Sequence, residues 1–237
     1  MITVAIPYYN NEKYLEQAVE IPLNSEFVSE IIIHDDCSEN EIESTHSKIK
    51  VYRNERNLGA FKNKYLAVSK ASNEWVYLLD SDNYFFDNSL RVVEGIETQR
   101  GRYYSPSQLH LVDDGLDQSL NGKIVKYDFG VVDGEKAKEI LISGNDNFGW
   151  LINTGNFFIH RDDYILSMKD IFNDPNYPYF EADAIVFTYN WLKKGNIIEV
   201  VDDLWYNHRL RSNSYSHSVG NKNSESLNYH KNLITQL

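Results

Sequence analysis

Two carboxylates separated by a single serine, Asp80 and Asp82, stand directly after a run of apolar and aromatic residues at positions 75–79. Such a run is typical of a strand that is buried on both faces. A charge at the end of a buried strand must be desolvated or compensated, so two acids at this position are not expected to stabilise the fold by themselves. Carboxylate oxygens are preferred ligands of Mg²⁺ and Mn²⁺, so the pair predicts a divalent cation at this strand end. The alternative is a plain turn, which Asp, Ser and Asn also favour.

Two other predicted strands end in polar residues as well. Residues 2–6 are closed by a loop at 7–10, and residues 30–34 are followed by two acids, a cysteine and a serine at 35–38. In an open α/β sheet, the ligand-binding crevice lies at the carboxyl ends of the strands. We therefore expect these two loops and residues 80–83 to line one pocket.

The order of elements in the first hundred residues predicts an α/β fold. Strand patterns alternate with segments in which apolar residues recur at helical spacing. This alternation favours a mainly parallel central sheet flanked by helices. The predicted strands are 2–6, 30–34, 49–52 and 75–79. Three helices are predicted: the first begins near residue 12, the second includes residues 61–68 and the third spans residues 89–97.

The second half of the chain has a less regular pattern, in which turn residues separate short apolar runs. The predicted strands are 102–112, 122–125 and 157–160, followed by closing strands at 197–201 and 204–208. A short helix is predicted at 136–142 and a longer one at 181–194, which ends at Gly195. Loops are predicted at 147–150, 154–156 and 174–180, and a polar tail at 209–220 precedes a final helix. No internal repeat or linker interrupts the sequence, so we expect a single domain over residues 1–237.

The charge of the chain excludes one class of partner. The 237 residues carry a formal net charge of −12, whereas a nucleic-acid partner requires a basic surface. A small anionic ligand would be repelled at long range. It would have to be held locally by a bound cation, by backbone amides or by a few Lys and Arg side chains.

Cysteine content and hydropathy indicate the compartment. The single cysteine, Cys37, allows no disulfide within the chain and favours a reducing compartment. No apolar run reaches the roughly 18 residues of a membrane span, and the N-terminus lacks the pattern of a signal peptide. We therefore expect a cytoplasmic protein. Peripheral contact with a membrane-bound acceptor at the inner face of the membrane is the alternative that we keep.

Four motifs together resemble the nucleotide-binding half of family 2 glycosyltransferases with the GT-A fold. They are Val-Ala-Ile-Pro-Tyr-Tyr-Asn at 4–10, Ile-Ile-His-Asp-Asp-Cys-Ser at 32–38, Asn-Leu-Gly at 57–59 with Asn63, and Leu-Asp-Ser-Asp-Asn at 79–83. The resemblance implies a GT-A-like α/β fold, with a nucleotide-sugar-binding half at 1–100 and an acceptor-binding half at 101–237. It also implies an inverting, metal-dependent transfer from a nucleotide diphosphate sugar, with UDP expected, to a hydroxyl of a glycan or lipid-linked saccharide.

The resemblance implies roles for single residues on the donor side. The nucleotide-binding residues would be Pro7, Tyr8, Tyr9, Asp36, Lys62, Asp80 and Ser81. The first three would wall the base and ribose, Asp36 would hydrogen-bond the base, and Lys62 would contact the diphosphate or the base. Asp82, with Asp80, would hold Mn²⁺ or Mg²⁺, which stabilises the leaving diphosphate as a Lewis acid.

On the acceptor side, the family uses a carboxylate just before a helix as general base, which here implies Asp183, with Glu181 as the alternative. The other interpretation is that either acid only favours the N-terminal end of a helix, an effect of about 0.3–1 kcal/mol. The residues that would lie beside the donor or acceptor sugar are Trp150, Thr154, Gly155 and Asn156.

Three residues of the predicted tail, His208, Arg209 and His217, match the flexible C-terminal segment of the family. One of the histidines would complete a metal shell or contact a phosphate. The ordinary interpretation of a lone histidine is that it does neither.

Two other functions are considered. A nucleotidyltransferase needs a glycine-rich phosphate loop after its first strand, and the loop at 7–10 contains no glycine. A non-catalytic sugar-nucleotide-binding protein or partner subunit stays open, because an alanine separates Glu181 from Asp183 where the family has adjacent acids. For an enzyme, we predict that UDP stabilises the protein only with a divalent cation.

Overall fold

The computed structural model describes residues 1–174, 183–212 and 221–237. The strands are β1 (Ile2–Tyr8), β2 (Val28–Asp35), β3 (Ile49–Arg53), β4 (Trp75–Leu78), β5 (Tyr84–Phe85), β6 (Arg102–Asp114), β7 (Ile124–Lys126), β8 (Val131–Val132), β9 (Phe157–His160) and β10 (Ile197–Arg211). The helices are α1 (Glu12–Asn24), α2 (Ala60–Ser69), α3 (Ser89–Glu94), α4 (Gly134–Ile142), α5 (Asp146–Ile152), α6 (Arg161–Asn173), α7 (Asp183–Lys193) and α8 (Asn221–Ile234).

The described strands form one sheet in the order β3-β2-β1-β4-β9-β6-β10-β5, with β7 paired to β6 and β8 paired to β10. The N-terminal strands β3, β2, β1 and β4 are parallel, and so is the long β6–β10 pair. Strand β9 runs antiparallel to both β4 and β6 and joins the two parallel parts. The predicted α/β class is confirmed, and the complete sheet is mixed.

The register of the N-terminal strands brings three loops together. Tyr8 pairs with Asp35, and Ala5 pairs with Leu78. The carboxyl ends of β1, β2 and β4 therefore lie along one edge, and the loops that follow them emerge side by side. This arrangement agrees with the expectation that they line one pocket.

Alternate residues of the central strands enter two hydrophobic cores. Val4 and Tyr77 pack in a core shared with α1 and α3, whereas Ala5 and Leu78 pack in a core shared with α2, α6 and α7. Successive side chains of a strand point to opposite faces, so both faces of this sheet are covered. Because α2 and α7 cover the same face, polar residues on these two helices can meet above the end of β4.

The two closing strands predicted at 197–201 and 204–208 are wrong as separate elements, because they form one strand, β10. Its pairing with β6 shifts between Val201 and Trp205, where Asp203 has a φ of +59°. A bulge of this kind bends a strand without ending it. Pairing then continues to Arg211, so residues 209–211 belong to the sheet and not to a flexible tail.

The loop predicted at 147–150 is also wrong, since these residues lie in α5. Asn145 caps that helix through its side-chain oxygen, which accepts a hydrogen bond from the Asn147 amide at 3.0 Å. Helix α6 was not predicted, and α3 ends at Glu94 rather than at residue 97. The predicted stop at Gly195 is confirmed, because its φ is +77° and its amide donates to the Leu192 carbonyl at 2.9 Å.

Some predictions fall on residues outside the described ranges. These are the aromatic loop at 175–180, the start of the helix at 181–182 with Glu181, and His217. Within the described ranges, no helix combines the length and apolar character that crossing a membrane requires.

Candidate active site

A buried lysine joins two distant parts of the chain at the sheet edge. Lys64 Nζ lies 2.8 Å from Asp80 Oδ1 and 2.6 Å from Asp183 Oδ2, and the lysine side chain is 11% exposed. Burial opposes the charge of Lys64, but the carboxylates of Asp183 and Asp80 outweigh it and hold the pKa of the ammonium well above its usual range. Lys64 is therefore a stable cation that draws the end of β4 and the start of α7 into one pocket.

Lys64 is the lysine of α2 that enters this cluster and was not among the predicted site residues, whereas the contact of Lys62 with the diphosphate or the base stays a prediction. Lys62 lies on another side of the helix, where its ammonium is 5.9 Å from the ring centroid of Phe172. Lys64 shares a helical row with Phe61 and Ala67, both of which are buried. The i, i+3 spacing from these apolar residues is a signal that would have identified Lys64 as inward-facing.

A glycine makes room for this ion pair. A Cβ atom on Gly155 would lie 2.5 Å from Lys64 Nζ and 2.8 Å from Asp80 Cγ, and it would be closer still to Asp80 Oδ2. Such distances are far below van der Waals contact. The neighbouring Asn156 accepts a hydrogen bond from the Asp80 amide at 2.9 Å through its side-chain oxygen. The predicted residue Gly155 thus leaves room for the Lys64–Asp80 pair, and Asn156 holds the Asp80 backbone.

The second acid of the pair is bound by an arginine from β10. Arg211 Nη2 lies 2.6 Å from Asp82 Oδ2, and the two side chains are 10% and 18% exposed. Arg211 Nη1 also donates to Asn11 Oδ1 at 2.9 Å, and Asn11 Nδ2 donates to Ser81 Oγ at 2.7 Å. Arg211 was missed because the sequence pattern assigned it to a tail. It fixes Asp82 and the loop after β1 in one network.

Arg209, two residues earlier on β10, supports the same loop. Its Nε donates to the Asp82 carbonyl at 3.0 Å, and its amide donates to Asn83 Oδ1 at 2.9 Å. The guanidinium carbon lies 4.5 Å from the ring centroid of Tyr14 and 5.5 Å from that of Tyr84. Cation–π contacts at these distances are stabilising. They position the end of β10 beside the acids.

Asp36, predicted to bind the base, lies at the centre of a loop network. Its carboxylate accepts hydrogen bonds from the amides of Leu58 and Gly59 and from Asn54 Nδ2, each at 2.8 Å. Asp36 is buried, so these donors compensate its charge. In this structure Asp36 shapes the loop before α2, and its contact with a base stays a prediction.

The two tyrosines after β1 face different surroundings. Tyr8 is 1% exposed and packs in the core that contains Val4, whereas Tyr9 is 46% exposed at the pocket edge. Burial, reinforced by Glu12, raises the pKa of Tyr8 to about 12. Tyr9 is thus the more accessible of the two tyrosines, Pro7 and Tyr8 are buried, and the roles of all three beside the base and ribose stay predictions.

The predicted sugar-side residues Trp150 and Thr154 lie in a neighbouring, largely buried cluster. Thr154 Oγ1 is 3.3 Å from the Tyr206 hydroxyl, which is 3.4 Å from His208 Nδ1. The ring of Trp150 packs edge-on against His208 with a centroid distance of 5.7 Å. Burial lowers the pKa of His208, although the carboxylates of Asp82 and Asp80 oppose the shift. Trp150 and Thr154 therefore belong to one cluster with Tyr206 and His208.

The chemistry of the acidic pair fits a cation that a ligand helps to bind. Asp80 and Asp82 offer oxygen donors, but Lys64 and Arg211 each occupy one carboxylate oxygen. The described residues contain no group of three or more His, Cys, Asp or Glu side chains able to hold a metal. Mg²⁺ in nucleotide sites is commonly bound by one or two carboxylates together with substrate phosphates. The residues fit that arrangement and do not form a metal site made by protein alone.

Comparison with known sequences agrees with the motifs. Residues 3–94 match the model of glycosyl transferase family 2. The chain is 26% identical over 232 residues to the glycosyltransferase GlyG of Streptococcus pneumoniae, covering 90% of this chain and 72% of GlyG. It is 29% identical over 102 residues to the poly(ribitol-phosphate) beta-N-acetylglucosaminyltransferase TarS of Staphylococcus aureus, covering 38% of this chain and 17% of TarS.

Solved structures share the fold. TarS 1–349 in complex with UDP-GlcNAc has a TM-score of 0.60 at 20% identity, covering 92% of this chain and 60% of that chain. GalNAc-T7 with UDP, GalNAc and Mn²⁺ has a TM-score of 0.65 at 17% identity, covering 99% of this chain and 48% of that chain. The chain thus spans less than two thirds of either solved chain, and the likeness establishes the GT-A fold.

Proposed function

We propose that the chain is a family 2 glycosyltransferase that transfers a sugar from a UDP-sugar to a saccharide hydroxyl with inversion at the anomeric carbon. The UDP-GlcNAc bound to TarS and the UDP bound to GalNAc-T7 support a UDP donor. The transferred group would be a hexosyl or N-acetylhexosaminyl unit.

One observation carries the proposal, namely the position of Lys64 between Asp80 and Asp183. Asp80 lies at the end of β4, where the resemblance expects the donor, and Asp183 begins α7, where it expects the base. Both carboxylates are within 3 Å of the same ammonium nitrogen. A donor bound at the sheet edge and an acceptor hydroxyl directed at Asp183 can therefore occupy one pocket, which is a requirement for direct transfer.

In the proposed step, Asp183 is the general base. The acceptor oxygen forms a bond to the anomeric carbon while the bond from that carbon to the diphosphate oxygen breaks. The acceptor proton passes to Asp183, and the bonding electron pair leaves with UDP. Attack opposite the leaving group inverts the anomeric carbon. Glu181, outside the described residues, stays the alternative base.

Lys64 and Arg211 would balance the charge that develops on the departing diphosphate. Cations already fixed in a partly buried pocket stabilise such charge more strongly than mobile ions in water. Asp82, with Asp80, would hold Mn²⁺ or Mg²⁺ together with the diphosphate. A divalent cation there supplies Lewis-acid stabilisation of the leaving group.

The cellular setting forms part of the proposal. We propose a cytoplasmic enzyme of polysaccharide or glycan assembly that meets its acceptor in solution or at the inner face of a membrane. The name of TarS, a poly(ribitol-phosphate) beta-N-acetylglucosaminyltransferase, supports a role in polymer glycosylation.

Replacing the base tests the proposal. Asp183→Asn should lower the rate of sugar transfer from UDP-sugars by about 10²–10⁴-fold while leaving UDP binding intact. Asp170→Asn is the matched control, because the Asp170 side chain is 87% exposed on α6. Wild-type protein that binds UDP-sugars but transfers to no acceptor in a broad glycan panel would instead indicate a non-catalytic sugar-nucleotide-binding protein.

A further inference from the structure

A guanidinium group occupies the acid that a divalent cation would bind. Arg211 Nη2 lies 2.6 Å from Asp82 Oδ2, and the two side chains are only 10% and 18% exposed. Water and salt screen a pair at this burial less than a pair on the open surface. A cation that binds Asp82 must therefore displace the guanidinium or share the carboxylate with it at close range.

The guanidinium is held at Asp82 by its surroundings. Arg211 Nη1 donates to Asn11 Oδ1 at 2.9 Å, and the guanidinium carbon lies 5.1 Å from the ring centroid of Tyr14. The backbone of Arg211 pairs with Asp114 at the end of the β6–β10 ladder. The positive charge is thus fixed beside the acid in the protein without a ligand.

The other acid of the pair is occupied in the same way. Lys64 Nζ lies 2.8 Å from Asp80 Oδ1. Each acid therefore has a positive charge at contact distance. A divalent cation that entered alone would be attracted by two carboxylates and repelled by two fixed cations. We expect the free cation to bind weakly for this reason.

Arg211 differs from Lys64 in its remaining contacts. Lys64 has a second carboxylate partner in Asp183, whereas the side-chain contacts of Arg211 beyond Asp82 are with the uncharged Asn11 and Tyr14. In addition, Arg211 Nε is buried and has no hydrogen-bond partner among the described residues. A buried donor without a partner is unfavourable, so this atom indicates that a ligand with acceptor oxygens completes the pocket.

A nucleotide diphosphate would supply those oxygens. Its phosphate groups accept hydrogen bonds from a guanidinium in a fork geometry, and their negative charge offers Arg211 a second partner beside Asp82. The carboxylate then becomes available to a cation that the phosphates also help to bind. The same side chain would therefore oppose the cation in the empty pocket and accept it in the loaded one.

We propose that Arg211 excludes a free divalent cation from Asp82 and admits it only together with a nucleotide diphosphate, to which the guanidinium transfers. The inference rests on the proposed function and assigns the coupling between donor and cation to one side chain of β10. Such coupling is reciprocal: the cation strengthens nucleotide binding by the same factor by which the nucleotide strengthens cation binding.

Binding of Mn²⁺ to the protein without nucleotide, followed by electron paramagnetic resonance of the free ion, tests the inference without any turnover. Arg211→Gln should bind Mn²⁺ at least about tenfold more tightly than the wild type, because a positive charge at contact distance from the acid is removed. Adding Asp82→Asn to this variant should abolish the gain, which locates it at Asp82. In titrations with UDP, Mn²⁺ should strengthen UDP binding less in Arg211→Gln than in the wild type.

Lys13→Gln is the matched control. It also removes one positive charge from an ion pair with an aspartate, but its partner is Asp114 and the Lys13 side chain is 68% exposed. This variant should keep the wild-type affinity for Mn²⁺. An equal gain in Lys13→Gln and Arg211→Gln would show a general effect of net charge and would overturn the inference.

Two other results overturn the inference. One is a wild-type affinity for Mn²⁺ in folded Arg211→Gln. The other needs only the wild type and Asp82→Asn, and it stands even if Arg211→Gln does not fold: Mn²⁺ binds at Asp82 equally tightly with and without UDP. Titration with UDP separates the two proposals. A protein that binds no UDP in the presence of Mn²⁺ overturns the proposed function, whereas UDP binding with either of these two results overturns only the inference.

Discussion

The ammonium group of Lys64 lies within 3 Å of both Asp80 and Asp183, although the two aspartates are more than a hundred positions apart in the sequence. The contact joins the end of a parallel strand to the start of a helix in the other half of the chain. Because the acids are only partly exposed, the lysine neutralises charge that solvent would otherwise have to compensate. The pocket consequently depends on this one side chain both for its shape and for its electrostatics.

Lys64→Met should separate the charge of this residue from its packing, since methionine keeps the aliphatic stem. We expect the free energy of unfolding to fall by about 1–3 kcal/mol, less than for a fully buried pair because both acids are partly exposed. Transfer from UDP-sugars should fall at least about tenfold, as expected when a preorganised cation is lost. Urea denaturation and steady-state kinetics check the two effects. Lys62→Met is the control, and equal effects of the two substitutions would contradict the assigned role of Lys64.

Gly155→Ala should disrupt the pocket through space alone. Its Cβ atom would lie 2.5 Å from Lys64 Nζ, so the ion pair must move. We expect a loss of about 1–3 kcal/mol in stability, the usual range for overpacking, together with weaker UDP binding. Gly149→Ala in α5 is the matched control, because its Cβ atom would meet Lys231 Nζ at an ordinary 3.7 Å. Calorimetric titration with UDP should separate the variants, and wild-type affinity in Gly155→Ala would contradict the geometry.

Cys37→Gly should stabilise the protein. Cys37 has a φ of +66°, a left-handed conformation that costs a non-glycine residue about 1 kcal/mol or more. Glycine loses more entropy on folding, so we expect a net gain of about 0.5 kcal/mol in the free energy of unfolding. Cys37→Ala removes the thiol but keeps the strain, and it should give no gain. Chemical denaturation compares the free energies of unfolding of the wild type, Cys37→Gly and Cys37→Ala. If only Cys37→Ala is stabilised, the thiol and not the backbone strain is the cause.

His34 should make stability depend on pH. Asn63 Nδ2 donates to the His34 carbonyl at 2.9 Å, so the side-chain oxygen of Asn63 faces the His34 ring. His34 Nδ1 therefore donates to Asn63 Oδ1 at 2.8 Å. Burial lowers the pKa of His34 below its usual range. The unfolded chain therefore binds more protons than the native chain as pH falls below about 6.5, and the stabilisation present above that pH is lost.

His34→Asn keeps a donor near the Nδ1 position and removes the titration. We expect the variant to lose less stability than the wild type between pH 7.5 and pH 5.5, as measured by urea denaturation at both pH values. The exposed His46→Asn serves as the control. If all three proteins lose the same amount, His34 does not carry this pH dependence.

The edge of the sheet could be predicted because local patterns determine it. Apolar runs end at Pro7, Asp35 and Asp80, and parallel pairing then places the three loops together. The same reasoning places Asp82 at the pocket. These predictions need only strand periodicity and the rule that parallel strands share their carboxyl ends.

The cations of the pocket were harder to predict, because they depend on contacts between distant segments. Lys64 could have been found from its buried helical row, yet its partner Asp183 depends on how α7 packs beside α2. Arg211 could not be recognised, because a polar sequence before a serine-rich segment is typical of a tail. Its place in β10 follows from pairing with β6, which continues to Asp114.

A crystal structure of the protein with a UDP-sugar and Mn²⁺ tests the central claim most directly. We predict a diphosphate beside Asp82, Lys64 and Arg211, and an anomeric carbon whose open face is directed toward Asp183. A nucleotide bound elsewhere would contradict the account. So would a donor at this edge with Asp183 on the same side of the sugar as the departing diphosphate.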